Sequence, residues 1–354
     1  MTNIEKYQSL LNGELDGLLL TSRFSRHYAA RFDIAEGVAI VTKAGCRYFT
    51  DSRYIESAQK GIEGFEVLLM DRDNPYSKRI NDAIQDFGIT NLGYEEIYLT
   101  VAEFAAYEQK LEAKLTPVSA QLAAFRAVKE PYELERMRKA QQITDRAFAE
   151  VLPRIRVGMT EKELCAELIY CLLKNGGEGL SFEPIVVSGP NTSLPHGVPG
   201  DRRLQEGDFI TMDFGVIYQG YCSDMTRTVA LGFATEEMKQ VYDTVLQAQL
   251  AGIAATKAGV TGREIDAAAR QVITNAGYGP YFGHGYGHSL GLEVHESPGC
   301  NPAGKDPIPE NAVCSAEPGI YLPGKFGVRI EDVVVFTKEG CEIFTASPKN
   351  LIII

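Results

Sequence analysis

Two stretches of this 354-residue chain repeat one another at a fixed displacement. Val157-Gly158-Met159-Thr160-Glu161-Lys162-Glu163-Leu164 matches Ala258-Gly259-Val260-Thr261-Gly262-Arg263-Glu264-Ile265, and the same shift carries Met137 onto Met238, Ala140 onto Val241 and Ala147 onto Ala248. Two helices are therefore repeated in register. In both copies a Thr precedes the second helix as an N-cap, and an acid three residues on, Glu163 or Glu264, completes a capping box. Each copy then leads through a connector to a predicted hairpin. One runs from Phe209 to about Leu231 and turns near Tyr218-Gln219-Gly220; the other runs from about Val313 to Thr337 and turns near Pro323-Gly324-Lys325. Two copies are a duplication rather than a solenoid. The expected architecture is α+β: two helix–helix–hairpin units about a pseudo-twofold axis, with helices outside a curved, mostly antiparallel sheet.

The hairpins carry acids in apolar surroundings. Asp213 and Asp224 lie nearly equidistant from the first turn, and Glu317 and Glu331 from the second, so each hairpin is expected to bring its pair close across the strands. Asp213 sits in Phe209-Ile210-Thr211-Met212-Asp213-Phe214, which reads as buried. Four buried carboxylates without compensation repel one another and take up protons. Two divalent cations would cancel four negative charges. Carboxylate oxygens together with an imidazole, His288 in a glycine-rich stretch, suit Mn²⁺, Co²⁺, Zn²⁺ or Fe²⁺ and lack the thiolates of structural zinc. Between two such metals a water is acidified to a hydroxide nucleophile. Cys314 reads as a buried, inert cysteine rather than a ligand.

The length suggests two domains. Residues 1–125 alternate strand-like and helical runs, with buried strands near Asp16–Thr21 and Gly37–Thr42 and a returning strand Cys46–Thr50, and read as a mixed α/β layer domain. His27, Tyr28, Arg31 and Phe32 fall in the connector after the first strand. The second domain, 126–354, starts with a long helix whose first turn holds Pro131, where a missing N–H costs nothing. A net charge of −12 argues against a nucleic-acid groove and against anionic membrane. Seven cysteines without a CxxC pair fit a reducing cytosol. Neither a signal peptide nor a membrane span is read from the sequence, so a cytoplasmic protein is expected.

Five motifs in order resemble the pita-bread metallopeptidases, in the branch of proline dipeptidase (prolidase) and aminopeptidase P. They are Leu204–Gly215, Asp224-Met225-Thr226-Arg227-Thr228, Gly283–Glu296, Glu317-Pro318-Gly319-Ile320-Tyr321 and Val328-Arg329-Ile330-Glu331-Asp332. That branch also carries a creatinase-like α/β N-terminal domain, and Phe49-Thr50-Asp51-Ser52-Arg53-Tyr54 resembles its strand-to-helix turn.

The resemblance implies Asp213, Asp224, His288, Glu317 and Glu331 as ligands of two metals, Mn²⁺ or Co²⁺ before Zn²⁺ or Fe²⁺, with Asp224 and Glu331 bridging. It implies Glu317 as general base, His295 as hydrogen-bond donor to the developing oxyanion and His196 as a loop histidine bordering the substrate. His284 and Arg329 resemble pocket residues, Arg329 orienting a ligating carboxylate. The implied reaction is hydrolysis of the bond between an N-terminal residue and proline in small peptides, by a homodimer. Many dipeptidases of this branch carry an arginine shortly after the histidine matched by His295, whereas here the stretch reads Ser297-Pro298-Gly299-Cys300-Asn301. Dipeptidase and aminopeptidase therefore both stay open. A creatinase-like amidinohydrolase and a non-catalytic binding protein on the same scaffold are the alternatives, and the complete ligand set counts against each.

Overall fold

Leu18, Leu19 and Leu20 form the middle of a sheet because nothing in that run tolerates water on either face. The computed structural model describes all of residues 1–354 and divides into two units, Met1–Arg126 and Ala127–Ile354. In the first unit the order is α1 (Asn3–Gln8), β1 (Gly17–Leu20), α2 (Arg23–Ala30), β2 (Val38–Thr42), β3 (Cys46–Thr50) and α3 (Ile55–Gly61). It continues with β4 (Glu66–Leu69), α4 (Tyr76–Phe87), β5 (Asn91–Tyr94), α5 (Val101–Lys110), β6 (Lys114–Pro117) and α6 (Ser119–Ala127). The sheet order is β4-β3-β2-β1-β5-β6. Strand β1 is buried throughout, pairing antiparallel with β2 and parallel with β5, as a continuous apolar run does in a sheet covered on both faces. Leu19, Ile40, Phe49, Ile84 and Leu92 share its core.

The connector expected after β1 is instead a helix. Ser22 caps α2 by accepting from the Ser25 amide, and His27 and Tyr28 are buried on it. Arg31 ends it in the left-handed region at φ 53°. Eight residues are too few for the window in which helical periodicity becomes legible.

The second unit begins with α7 (Pro131–Val151), α8 (Glu161–Lys174), β7 (Gly179–Leu180), β8 (Ile185–Ser188), β9 (Phe209–Phe214), β10 (Val216–Tyr218), β11 (Tyr221–Cys222) and β12 (Met225–Ala230). The repeat follows as α9 (Glu236–Ala255), α10 (Gly262–Asn275), β13 (Gly287–Ser289), β14 (Glu296–Cys300), β15 (Val313–Ala316) and β16 (Gly319–Leu322). It closes with β17 (Phe326–Arg329), β18 (Asp332–Phe336) and β19 (Cys341–Ile343). Every ladder between these strands is antiparallel. Capping boxes form at Thr160/Glu163 and Thr261/Glu264, and Pro131 opens α7. The duplication gives two cores. Ile143, Phe148, Leu168, Met212 and Phe214 lie in one, and Val241, Val245, Ile265, Ile320 and Val334 in the other.

The copies diverge where the second helix begins. Glu161 in α8 is replaced by Gly262 in α10, where a Cβ would come within 2.1 Å of the Gly299 carbonyl oxygen. Glycine lets α10 and β14 touch through backbone, whereas Glu161 accepts hydrogen bonds from the Ser188 and Gly200 amides and from Asn191. The loop bearing His196 thus starts and ends on one buried carboxylate.

Neither hairpin is a single ladder. The first is broken into β9/β12 and β10/β11, the second into β15/β18 and β16/β17. Asp224, Glu317 and Glu331 occupy the breaks, and Asp213 stands one residue before the end of β9.

Candidate metal centre

A carboxylate at a strand break is freed from the alternating pleat, so it can lean toward a neighbour that a straight strand would hold apart. In the second hairpin Ala316 pairs with Asp332 and Gly319 with Arg329, and the same register sets Glu317 across from Glu331. The first hairpin differs from expectation. Asp213 pairs with Thr226, so Asp224 is offset diagonally rather than directly opposite. The cause is the turn: it closes between Tyr218 and Tyr221, with Gln219 and Gly220 both at positive φ, one residue later than the two-residue turn at Tyr218-Gln219 that would set Asp213 opposite Asp224.

Ligand-type atoms of Asp224, His288 and Glu331 all lie within 4.8 Å of one another. Glu317 joins through His288, whose Nε2 is 3.2 Å from Glu317 Oε1 and 3.7 Å from Asp224 Oδ2. Asp213 faces the other way with one oxygen, its Oδ2 accepting from Arg329 Nη2 at 2.6 Å. All five border one cavity of about 910 Å³, together with His196, His284, His295 and Arg329.

Three buried carboxylate oxygens have no hydrogen-bond partner: Asp213 Oδ1, Asp224 Oδ1 and Glu331 Oε1. Such groups are costly unless something pairs with them. Burial pushes the Asp224 carboxyl well above the usual range, and the charges of Glu331, Asp213 and Glu317 push it further. Burial, then Glu317 and Asp213, do the same to Glu331. Asp213 is also raised by burial, against the pull of Arg329. Oxygen donors with one imidazole, a surplus of negative charge and unpaired lone pairs fit divalent ions held by these side chains.

His288 is oriented for that task. Its Nδ1 faces the Ser289 carbonyl at 3.2 Å, so Nδ1 carries a proton and Nε2 is the nitrogen turned toward the acids, free to offer a lone pair once it is deprotonated. Without a cation, burial disfavours the imidazolium but Glu317 outweighs it, and the His288 pKa rises to about 9. In return Glu317, which burial would raise, is pulled below the normal carboxylate range by His288. Metal binding at Nε2 must therefore release a proton near neutral pH.

Several orienting residues carried no role in the sequence reading. Thr226 Oγ1 donates to Glu331 Oε2 at 2.7 Å and accepts from Arg329 Nε at 3.1 Å. Tyr321 has its hydroxyl 2.8 Å from Arg329 Nη1 and 2.9 Å from His284 Nε2. Ser315 Oγ accepts from the His288 amide and donates to Glu317 Oε1. Tyr321 and Thr226 stood inside quoted motifs, but Tyr321 reaches Arg329 over 8 positions and His284 over 37, and Thr226 reaches Glu331 over 105. His295 packs edge-on against His288, ring centroids 4.3 Å apart, and burial followed by the His288 charge lowers its pKa. His196 is exposed on its loop.

Gly287 permits the approach of β13 to β15. A Cβ there would lie 2.1 Å from the Ser315 carbonyl oxygen. Gly287→Ala is expected to cost about 1–3 kcal/mol by overpacking, read as a lower urea midpoint, and to displace the neighbouring His288.

The description of metallopeptidase family M24 matches residues 135–338, and that of the creatinase/prolidase N-terminal domain matches residues 4–128. An uncharacterized peptidase of Bacillus subtilis is 39% identical over 99% of each chain. Among solved structures, an Xaa-Pro dipeptidase from Bacillus anthracis superposes with a TM-score of 0.95 at 41% identity, covering 99% of each chain. An X-Pro aminopeptidase from Thermotoga maritima gives 0.94 at 37% identity over 100% of each. The acids at the strand breaks, the orphaned oxygens around His288 and these matches lead to one conclusion: the chain belongs to metallopeptidase family M24, whose members use divalent metal.

Proposed function

We propose that the protein is a dinuclear-metal exopeptidase that cleaves the bond between an N-terminal residue and a following proline. The observation that carries this reading is the group of three unpartnered carboxylate oxygens in one cavity with His288, whose Nδ1 faces the Ser289 carbonyl and whose Nε2 faces the acids. The names of the relatives, Xaa-Pro dipeptidase and X-Pro aminopeptidase, supply the substrate class. Asp213, Asp224, His288, Glu317 and Glu331 hold the two ions, Mn²⁺ or Co²⁺ in preference to Zn²⁺ or Fe²⁺. When bound, the ions polarise the scissile carbonyl and acidify the attacking water.

The side chains do the rest. Glu317, fixed by Ser315, takes the proton of the attacking water and passes it to the proline nitrogen as the C–N bond breaks, a transfer that contributes about 10²–10⁴-fold. His295, kept neutral, donates a hydrogen bond to the carbonyl oxygen as it becomes an oxyanion. The Arg329–Tyr321–His284 chain holds Asp213 and one wall of the cavity in place. The free α-amino group of the substrate is met by the acids, which makes the enzyme an exopeptidase, and His196 borders the peptide.

All of these residues come from the second domain, 126–354, with 1–125 as a separate creatinase-like domain. We assign the enzyme to the cytoplasm as a homodimer; seven unpaired cysteines support a reducing compartment. No helix is long and apolar enough to cross a membrane. Neither an amidinohydrolase nor a binding protein that has lost its ligands is favoured by any observation, since every donor is retained.

Protein stripped with chelator and refilled with Mn²⁺ or Co²⁺ is expected to release the N-terminal residue from Ala-Pro and Ala-Pro-Ala. With no cation in Ser297–Asn301 to grip a terminal carboxylate, kcat/KM for the tripeptide should at least equal that for the dipeptide. Absence of cleavage of either peptide by the refilled enzyme would sink the reading.

A further inference from the structure

We infer that the buried Lys129–Glu296 ion pair is a positioning device: it fixes the turn that carries His295. The inference rests on the proposed role of His295 at the substrate carbonyl.

Lys129 precedes α7 and Glu296 opens β14, so the two meet across most of the second unit's sequence. Nζ of Lys129 lies 2.9 Å from Glu296 Oε2, and the side chains are only 1% and 2% exposed. The other oxygen, Oε1, accepts from the backbone amides of Leu292 and Glu293 at 3.1 and 3.3 Å. The carboxylate also lies flat on Gly291, where a Cβ would sit 2.8 Å from Oε2. One carboxylate thus grips three successive residues of the turn, and His295 is its immediate neighbour in sequence.

The turn is tied in the other direction as well. The Gly291 carbonyl accepts from the Cys222 amide at 2.7 Å, and Cys222 ends β11 two residues before Asp224. Beside it, the Tyr221 hydroxyl donates to Glu133 Oε1 at 2.9 Å. Glu133 feels the charges of Lys129 and Glu296. A continuous set of buried polar contacts runs from the start of α7 to both the His295 turn and the Asp224 segment.

Stability alone does not account for this pair. Removing two charges from water costs about as much as their attraction returns, and apolar replacements of such pairs are often neutral or stabilising. What a charged pair adds is a single orientation for a carboxylate that must accept two amides at once. Lys129 and Glu296 touch neither the cavity's acids nor a substrate, so they act through His295.

The test uses full-length, metal-loaded enzyme. The double variant Lys129→Met/Glu296→Gln removes both charges of the pair together, and with them their opposed effects on Glu133, so it should fold with a melting temperature close to the parent's. Its kcat on Ala-Pro-Ala should fall on the order of 10²-fold, the effect of a small misplacement of a reacting group, with KM little changed. Lys129→Arg should recover most of the kcat lost in Lys129→Met. Adding the double substitution to His295→Ala should cause no further loss; losses that multiply instead would overturn the inference. The chain has five histidines, so ring-labelled histidine NMR on the diamagnetic Zn²⁺-loaded protein can follow each of them. The His295 signal should move or broaden in the double variant while that of His27 stays. An unmoved His295 signal would also overturn it, and this readout decides the matter even if the parent cleaves no Xaa-Pro peptide, the outcome that would defeat the functional reading itself.

Discussion

Glu331→Gln is expected to cut kcat/KM by about 10³-fold or more, the equivalent of several kcal/mol of lost metal assistance, and at the same time to make the metal-free protein more stable than its parent. Both effects follow from the same atoms. Glu331 is 1% exposed, and its Oε1 has no partner. Its carboxylate shares the cluster with Asp224 and with His288, itself hydrogen-bonded to Glu317. An amide keeps the acceptor for Thr226 Oγ1 but removes one like charge. The sign with pH is equally defined. Burial and neighbouring acids raise the folded-state pKa of both Asp224 and Glu331, so their protonated forms are the ones the metal-free fold favours. That contribution is fully present below the unfolded carboxyl range near 4 and is lost as pH rises toward the elevated folded values. Metal-free parent should therefore melt lower at pH 8 than at pH 5, Glu331→Gln should flatten that difference, and added Mn²⁺ should raise the melting temperature of the parent alone. Thermal melts in chelator at the two pH values, with metal analysis after dialysis, check all three; a Glu331→Gln protein that keeps its metal would contradict the assignment.

How far this site was legible depends on the range of each interaction. The duplication was readable because its markers are local: Thr160 and Thr261 cap helices with the acid three residues on, and the same spacing recurs in both copies. The acids were readable because each stands in or beside an apolar strand, where a charge needs an explanation. The break in each hairpin was not, since a bend at Gly215 or Pro318 leaves the alternation of neighbouring residues intact. The diagonal offset of Asp213 and Asp224 hung on one residue of turn position. Helix α2 was too short to show its period, so His27 and Tyr28 read as loop residues. Orienting contacts were hardest of all. Thr226 reaches Glu331 and Lys129 reaches Glu296 over 105 and 167 positions, and no single sequence marks such partners; the orienting role of Arg329 came only with the family resemblance, and its partner proves to be Asp213, 116 positions away.

His295→Ala separates the chemistry from the metal. The His295 ring packs edge-on against the His288 ring. Its removal should leave metal content unchanged. Loss of one preorganised donor to an oxyanion lowers kcat by about 10²–10³-fold, whereas ground-state binding through the acids and His196 persists, so KM should move little. The lowered pKa of His295 adds a second signature. Partial burial and the adjacent His288 lower the imidazole's pKa from its ordinary value near 6.5, so at neutral pH it is a neutral donor, and a ring that gains a proton still donates. The acid limb of kcat/KM against pH should then be the same in His295→Ala as in the parent, with the whole curve displaced downward. A limb that shifts, or a loss that follows metal content, would place His295 among the ligands instead. The distinction is physical: a ligand is needed before substrate arrives, while an oxyanion donor is needed only as charge develops on the carbonyl oxygen.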